Sequence, residues 1–148
     1  MKIEPVTIQT FTQAARVYAL SWRDSHRTVC SSEFLERRDC EGYLRERTQG
    51  LYLIRDREPV GVFRLNDGFL SDLYIHPGYA GKGWGSACVA FAKGLYPRLR
   101  LTVLSSNENA IRFYEKNGFR FTGRDVLLRD GLWEREMENV RLFTTAYL

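Results

Sequence analysis

The nine residues Pro77-Gly78-Tyr79-Ala80-Gly81-Lys82-Gly83-Trp84-Gly85 limit the architecture more than any other stretch. They form a glycine-rich turn that opens straight into an apolar run of helical period. Trp84, Ala87, Cys88, Phe91 and Leu95 recur at i, i+3, i+4, i+7 and i+11, which predicts a helix packed on a sheet. Just before the turn, residues 69–75 are rich in Leu, Tyr and Ile and read as a strand. Strand, glycine turn and helix in that order leave backbone N–H groups uncovered at the positive end of a helix dipole. That is a cradle for an anion such as pyrophosphate, with Lys82 adding a point charge. The same glycines would equally serve a tight turn that needs them only for its backbone angles. Two other nucleotide loops do not fit. A P-loop needs Ser or Thr after its Lys, where this chain has Gly83. A dinucleotide fingerprint belongs at the first strand of a βαβ unit, whereas this loop follows at least three strands.

The rest of the chain supplies those strands. Residues 1–7 read as a short strand, and Thr10 starts a helix with Gln13 at the capping-box position. A second helix is expected from Ser32 through Arg47, ended by Gln49-Gly50. Residues 51–55 and 60–65 read as a hairpin across Asp56–Pro59, and Asn66-Asp67-Gly68 is a further turn. Past the glycine turn and its helix, a strand over 99–104 precedes a helix with Asn107 as N-cap and Asn117-Gly118 as its stop. Strands over 119–123, 125–129 and 132–137 close the pattern, with Asp130-Gly131 as a hairpin turn. The expected fold class is α/β in the three-layer α+β sense. It is a mixed, mostly antiparallel central sheet with helices on both faces.

Length and composition bound the function classes. The 148 residues suit a single domain over 1–148, without repeat or linker, large enough to hold a core unaided. A net charge of +4 favours an anionic ligand, but the charges are interspersed. Arg37-Arg38 lies among Glu33, Glu36, Asp39 and Glu41, so no nucleic-acid patch is expected. Cys30, Cys40 and Cys88 are odd in number and lack CxxC spacing, which predicts neither a disulfide framework nor a metal site. No 18-residue apolar run and no signal-like start are present, so the expectation is a cytoplasmic protein without a membrane partner.

Two motifs make the reading specific. Leu73-Tyr74-Ile75-His76-Pro77-x-Tyr79-x-Gly81-Lys82-Gly83-x-Gly85-Ser86 resembles the acetyl-CoA-binding signature of the GNAT superfamily of acetyltransferases. Asn107-Glu108-Asn109-Ala110-Ile111-Arg112-Phe113-Tyr114-Glu115-Lys116-Asn117-Gly118-Phe119 is similar to that superfamily's second motif. Together they cover residues 69–123 in the superfamily's order. Residues 1–68 match only in their pattern of elements. One departure is Ala80, where the family turn usually carries Arg or Gln. That position works largely through its backbone amide, so the resemblance still implies binding, with affinity the quantity affected.

The resemblance implies acetyl-CoA as cosubstrate and direct transfer of the acetyl group to a primary amine. Backbone groups of Leu73, Tyr74 and Ile75 would hold the pantetheine, with an amide near Ile75 facing the acetyl oxygen. The loop amides of Gly81, Lys82, Gly83, Trp84, Gly85 and Ser86 would take the pyrophosphate, and Asn107 would be a cofactor contact. Tyr114 is the expected general acid for the leaving thiolate, because a phenol can donate to sulfur. It lies two helical turns after Asn107, on the same face. Spacing alone equally fits an aromatic packed on the sheet.

The base is less legible. Some family branches place a carboxylate where this chain has Thr102. Asp72 and Glu33 are the first candidates, with His26 and the alternating Glu134, Glu136 and Glu138 behind them. Those three glutamates share a strand face and would attract a cationic amine or simply be solvated. Cys88 lies on the apolar stripe of its helix, as a small hydrophobe rather than a nucleophile. Trp22, Trp133 and Phe143 are core or cleft aromatics. The apolar end Leu142–Leu148 would cover its own sheet or a second subunit, which would make a homodimer. The alternative to an enzyme is a non-catalytic acyl-CoA-binding sensor or partner domain.

Overall fold

The computed structural model describes residues 1–141. The expectations for Phe143 and for the apolar end at 142–148 lie outside the described residues. Seven strands, β1 (Lys2–Pro5), β2 (Leu51–Asp56), β3 (Glu58–Asn66), β4 (Phe69–Ile75), β5 (Arg98–Leu104), β6 (Arg120–Arg129) and β7 (Leu132–Val140), hydrogen-bond in the order β1-β2-β3-β4-β5-β7-β6, with a parallel pair at β4–β5. The mixed, mostly antiparallel sheet is thus as expected. The described residues divide into two compact units, with β4 contributing to both.

The first unit holds Met1–Asn66 and Asp72–Cys88. Here β1 (Lys2–Pro5) pairs antiparallel with β2 (Leu51–Asp56), and β2 with β3 (Glu58–Asn66). The turn between β2 and β3 is tighter than expected, because Arg57 takes a φ of 66° and shortens it to one residue. Val60, Gly61, Val62 and Phe63 are buried in succession, as in a strand covered on both faces. α1 (Phe11–Ser25) buries Ala14, Val17, Tyr18 and Trp22 against Leu44, Leu51, Leu53 and Val62. Thr10 is its N-cap, but the capping box does not form. The Thr10 hydroxyl accepts instead from Thr7 N–H at 2.9 Å, and Gln13 accepts from the Arg55 guanidinium.

The single helix expected over 32–47 is two: α2 (Ser32–Arg37) and α3 (Cys40–Arg45). Asp39 causes the break. Its carboxylate caps Gly42 N–H at 2.9 Å, and a helix start there removes residues 38 and 39 from any continuous helix.

The second unit holds Asp67–Ser71 and residues 89–141. It contains the start of β4 (Phe69–Ile75), most of α4 (Trp84–Leu95), β5 (Arg98–Leu104), α5 (Glu108–Lys116), β6 (Arg120–Arg129) and β7 (Leu132–Val140). Asp67 and Gly68, at φ of 48° and 75°, make the tight turn into β4 that their types predict. β5 pairs antiparallel with β7 from Arg98↔Val140 to Leu104↔Glu134. The two short strands expected at 119–123 and 125–129 are one strand, β6. Its register shifts between Phe121 and Asp125, around Gly123 at φ 88°. Leu99, Leu101, Val103, Phe119 and Met137 are buried. On α4 the buried stripe is Cys88, Val89 and Ala92, and Leu95 is exposed. The expected stripe therefore drifts toward its C-terminal end. No helix among the described residues is long and apolar enough to cross a membrane.

Candidate active site

The glycine turn begins where β4 ends. His76 N–H donates to Val60 C=O at 2.7 Å, and the His76 ring accepts from Gly78 N–H, closing a 3-10 turn at Pro77–Tyr79. Gly81 and Gly83 then take φ of 77° and 85°, which an L residue adopts only at a cost. A Cβ at either would meet no atom within 4 Å, so backbone angle, not crowding, demands glycine there. Gly81, Lys82 and Gly83 are exposed. The helix's first bond runs from Ala87 N–H to Gly83 C=O, so the N–H groups of Trp84, Gly85 and Ser86 precede any intrahelical acceptor. The Trp84 indole N–H is buried without a hydrogen-bond partner. Open space, free donors and a helix N-terminus coincide, which fits a diphosphate.

β4 itself is bent. Asp72 has a φ of 51°, a left-handed conformation inside a strand, which costs on the order of 1–3 kcal/mol for a non-glycine residue. The bend overrides strand alternation and settles where the carboxylate goes. Asp72 Oδ1 accepts from the Tyr43 hydroxyl at 3.0 Å, and Oδ2 lies 4.0 Å from Arg64. The Asp72 side chain is only 12% exposed. On the neighbouring strand, a Cβ at Gly61 would lie 2.7 Å from Tyr74 C=O, so only glycine lets β3 approach β4 here.

Asp72 adjoins an aromatic cluster drawn from α1, α3 and β4. Tyr18 stacks on Tyr43 at 5.6 Å between centroids, and Tyr74 meets Tyr18 edge-on at 5.4 Å. Arg38 lies over Trp22 at 3.9 Å and donates to the Tyr18 hydroxyl at 3.0 Å, while Arg47 covers Tyr43 at 3.8 Å. Burial, and then the Asp72 charge, push the Tyr43 phenol above its ordinary range and that of Tyr74 up to about 12. Such phenols stay protonated and act as hydrogen-bond donors. Sequence reasoning named Asp72 and Tyr74 but missed Tyr18, Arg38 and Tyr43. The available signal was the i, i+4 pair Tyr43 and Arg47, together with Tyr18 and Trp22 on one helix face.

Other expected residues fall elsewhere. Glu33 sits on α2, 68% exposed and paired with Arg37 at 2.6 Å, apart from the Asp72 cluster. His26 bonds Trp22 C=O at 2.8 Å and stacks on the Trp22 ring. Trp22 is core, and Trp133 is 41% exposed. Burial drives the Cys88 thiol up to about 12, so it holds no thiolate, and the three cysteines are free.

In the second unit, Asn107 caps α5 by accepting from Ala110 N–H at 3.2 Å. Tyr114 is half-buried between Phe113 and Phe119, with centroids at 5.0 and 5.5 Å. Thr102 lies opposite Glu136 in the ladder. The glutamates of β7 are not a bare acidic face. Glu138 pairs with Arg98 at 2.8 Å, and Glu136 lies 3.7 Å from Arg124 and 4.0 Å from Arg100.

Comparison with known proteins accords with this geometry. A family model described as acetyltransferase (GNAT) family matches residues 14–119. Peptidyl-lysine N-acetyltransferase YjaB of Escherichia coli (strain K12) is 39% identical over 67 residues, 45% of this chain. That match spans 46% of YjaB, so the chain aligns with just under half of that relative's length. Peptidyl-lysine N-acetyltransferase YiaC of the same organism is 26% identical over 106 residues, 68% of each protein. Among solved structures, the solution structure of apo YjaB from Escherichia coli superposes with a TM-score of 0.74 at 24% identity, over 95% of this chain and 98% of that one. The PaiA N-acetyltransferase of Thermoplasma acidophilum, in complex with coenzyme A, gives 0.70 at 22% identity, over 94% and 98%. At these identities the superpositions establish the fold.

Proposed function

The chain belongs to the acetyltransferase (GNAT) family, and on that premise we propose that it moves an acetyl group from acetyl-CoA directly to a primary amine of a peptide or small molecule. The observation that carries the reading is the open glycine cradle at Gly81 and Gly83, ahead of the uncommitted N–H groups of Trp84, Gly85 and Ser86. These amides would hold the pyrophosphate, and the backbone of Leu73, Tyr74 and Ile75 would hold the pantetheine, with an amide near Ile75 on the acetyl oxygen. The family match spans residues 14–119, which supports one working domain. The relatives named peptidyl-lysine N-acetyltransferases make lysine side chains the first acceptors to test.

In the transfer, the amine nitrogen attacks the thioester carbonyl, the C–S bond breaks, and the amide product keeps the acetyl group. Two protons move. The amine's proton goes to Asp72, whose carboxylate is oriented by the Tyr43 hydroxyl. The departing thiolate takes a proton from Tyr114, and Asn107 is a further contact to the cosubstrate. Glu33, in its exposed pair with Arg37, takes the lesser role of guiding a cationic acceptor. The free cysteines support a cytoplasmic setting.

The test is acetyl-CoA turnover against amino acids, polyamines, aminoglycosides and lysine-containing peptides, with product detected by mass. An acetylated product from one class supports the reading and names the acceptor. Silence with an acetyl-CoA-induced rise in melting temperature favours a binding domain without catalysis. Silence without that rise overturns the cradle.

A further inference from the structure

Thr12, Ala15, Arg16, Ala19 and Arg23 recur at the spacing of one helical face on α1. The small residues among them floor a cavity of about 390 Å3, and the Arg38–Glu41 junction between α2 and α3 forms its other wall. Three arginines are among its lining residues: Arg16, Arg23 and Arg38. None of the three has an ion-pair partner among the described residues. Arg27, Arg37, Arg45 and Arg47, on neighbouring turns, each have one. The two carboxylates in the wall are committed elsewhere. Asp39 caps Gly42 N–H, and Glu41 pairs with Arg45 at 2.8 Å.

Arg23 and Arg38 are half-buried, and neutral partners hold them in place. Arg23 Nε donates to Leu35 C=O at 3.0 Å. Arg38 lies over the Trp22 ring at 3.9 Å, gives one Nη to the Tyr18 hydroxyl, and makes a long contact from the other to Cys40 Sγ at 3.8 Å. A cation–π contact uses the face of a guanidinium, and those in-plane N–H groups of Arg38 not directed at Tyr18 and Cys40 remain for contact with an oxyanion. A cation held partly out of water without a counter-charge costs free energy, and an anion entering the cavity would lower that cost.

We propose that this cavity binds an oxyanion, the carboxylate or phosphate group of a small molecule, with Arg38 donating to it and Arg16 and Arg23 closing the charge around it. Neither the glycine cradle nor Asp72 lines the cavity, and the two sites share Arg38, which also donates to Tyr18 in the cluster beside Asp72.

The three tryptophans allow a site-resolved test. In the full chain labelled with 5-fluorotryptophan, Trp22 lies beneath Arg38, Trp84 reports the glycine turn, and Trp133 lies at the start of β7. Fluorine NMR would follow titrations with sodium phosphate and with sodium succinate, at ionic strength matched by sodium chloride. The expected result is a saturable shift of the Trp22 signal. The double variant Arg16→Gln/Arg23→Gln should weaken it about tenfold, the scale of losing one charged hydrogen bond, and Arg38→Gln should abolish it. Saturation by succinate alone assigns a carboxylate ligand, by phosphate alone a phosphate, and by both an oxyanion of either kind. A Trp22 signal that only follows ionic strength overturns the proposal, as does one that saturates equally in the double variant or a response confined to Trp84. Should Arg38→Gln fail to fold, the exposed Arg16 and the Arg23 substitution decide the matter.

Discussion

Gly83 and Gly94 stand at the two ends of α4, and alanine at either meets no atom within 4 Å. The two substitutions therefore differ only in backbone. Gly83 has a φ of 85°, where a Cβ costs an L residue about 1–2 kcal/mol. Gly94 is helical without a positive φ, so alanine there restricts the unfolded chain and stabilises by about 0.5–1 kcal/mol. In a chain of this size about 1 kcal/mol corresponds to roughly 2–4 °C. Gly83→Ala should then melt roughly 2–8 °C below wild type, and Gly94→Ala about 1–4 °C above it.

The cosubstrate supplies a second readout. A ligand at about 100 times its Kd adds about 2.7 kcal/mol, and a tenfold loss of affinity removes about 1.4 of that. If the amides from Gly83 to Ser86 hold the pyrophosphate, Gly83→Ala loses much of the acetyl-CoA-induced shift and Gly94→Ala retains all of it. Thermal melts with and without acetyl-CoA, backed by calorimetric titration, measure both effects. A Gly83→Ala protein that melts with wild type and binds acetyl-CoA equally well would refute the cradle. Equal destabilisation by both variants would refute the backbone argument.

Four further outcomes are expected. Tyr114→Phe should lower the rate by about 10²–10⁴ while leaving acetyl-CoA affinity unchanged, and a rate within a factor of two would remove Tyr114 as the acid. Tyr43→Phe deprives the half-buried Asp72 carboxylate of its 3.0 Å donor; urea unfolding should show a loss of about 1.5–3 kcal/mol and kcat/KM should fall, whereas an unchanged pair of values would show that the contact does nothing. Hydrogen bonds from Lys2 and Arg55 hold the Glu4 carboxyl below its ordinary range, so its contribution is complete above the unfolded carboxylate pKa and is lost as pH falls through the folded value. Urea midpoints of wild type and Glu4→Gln should therefore differ at neutral pH and converge in acid. Tyr74 runs the other way: burial raises its phenol from 10.0 to about 12, so its contribution holds below pH 10.0 and disappears as pH rises toward 12. Tyr74→Phe should flatten that alkaline loss, and an unchanged alkaline limb would exclude Tyr74 as its source.

What the sequence determined by itself was whatever neighbours along the chain decide. Asn107 caps α5, Asp67-Gly68 and Gly131 turn their hairpins, and Gly81 and Gly83 shape the loop. Each of these is a matter of backbone angle or of a hydrogen bond to an N–H a few residues away, and residue type constrains both. The two motifs that resemble the acetyltransferase family lie in such segments, so the glycine turn and the capped start of α5 were legible.

The cluster around Asp72 was not, because its contacts join residues far apart in the chain. Tyr43 reaches Asp72 across 29 positions and Arg38 reaches Tyr18 across 20, and no local pattern encodes either pairing. Asp72 looked ambiguous because strand alternation leaves its direction open; a φ of 51°, sustained by the packing around β4, resolved it. Glu33 looked equivalent to Asp72 as a carboxylate, yet one is 68% exposed beside Arg37 and the other is 12% exposed beneath Tyr43. Burial separated them, and burial is set by which elements pack together rather than by the residues on either side.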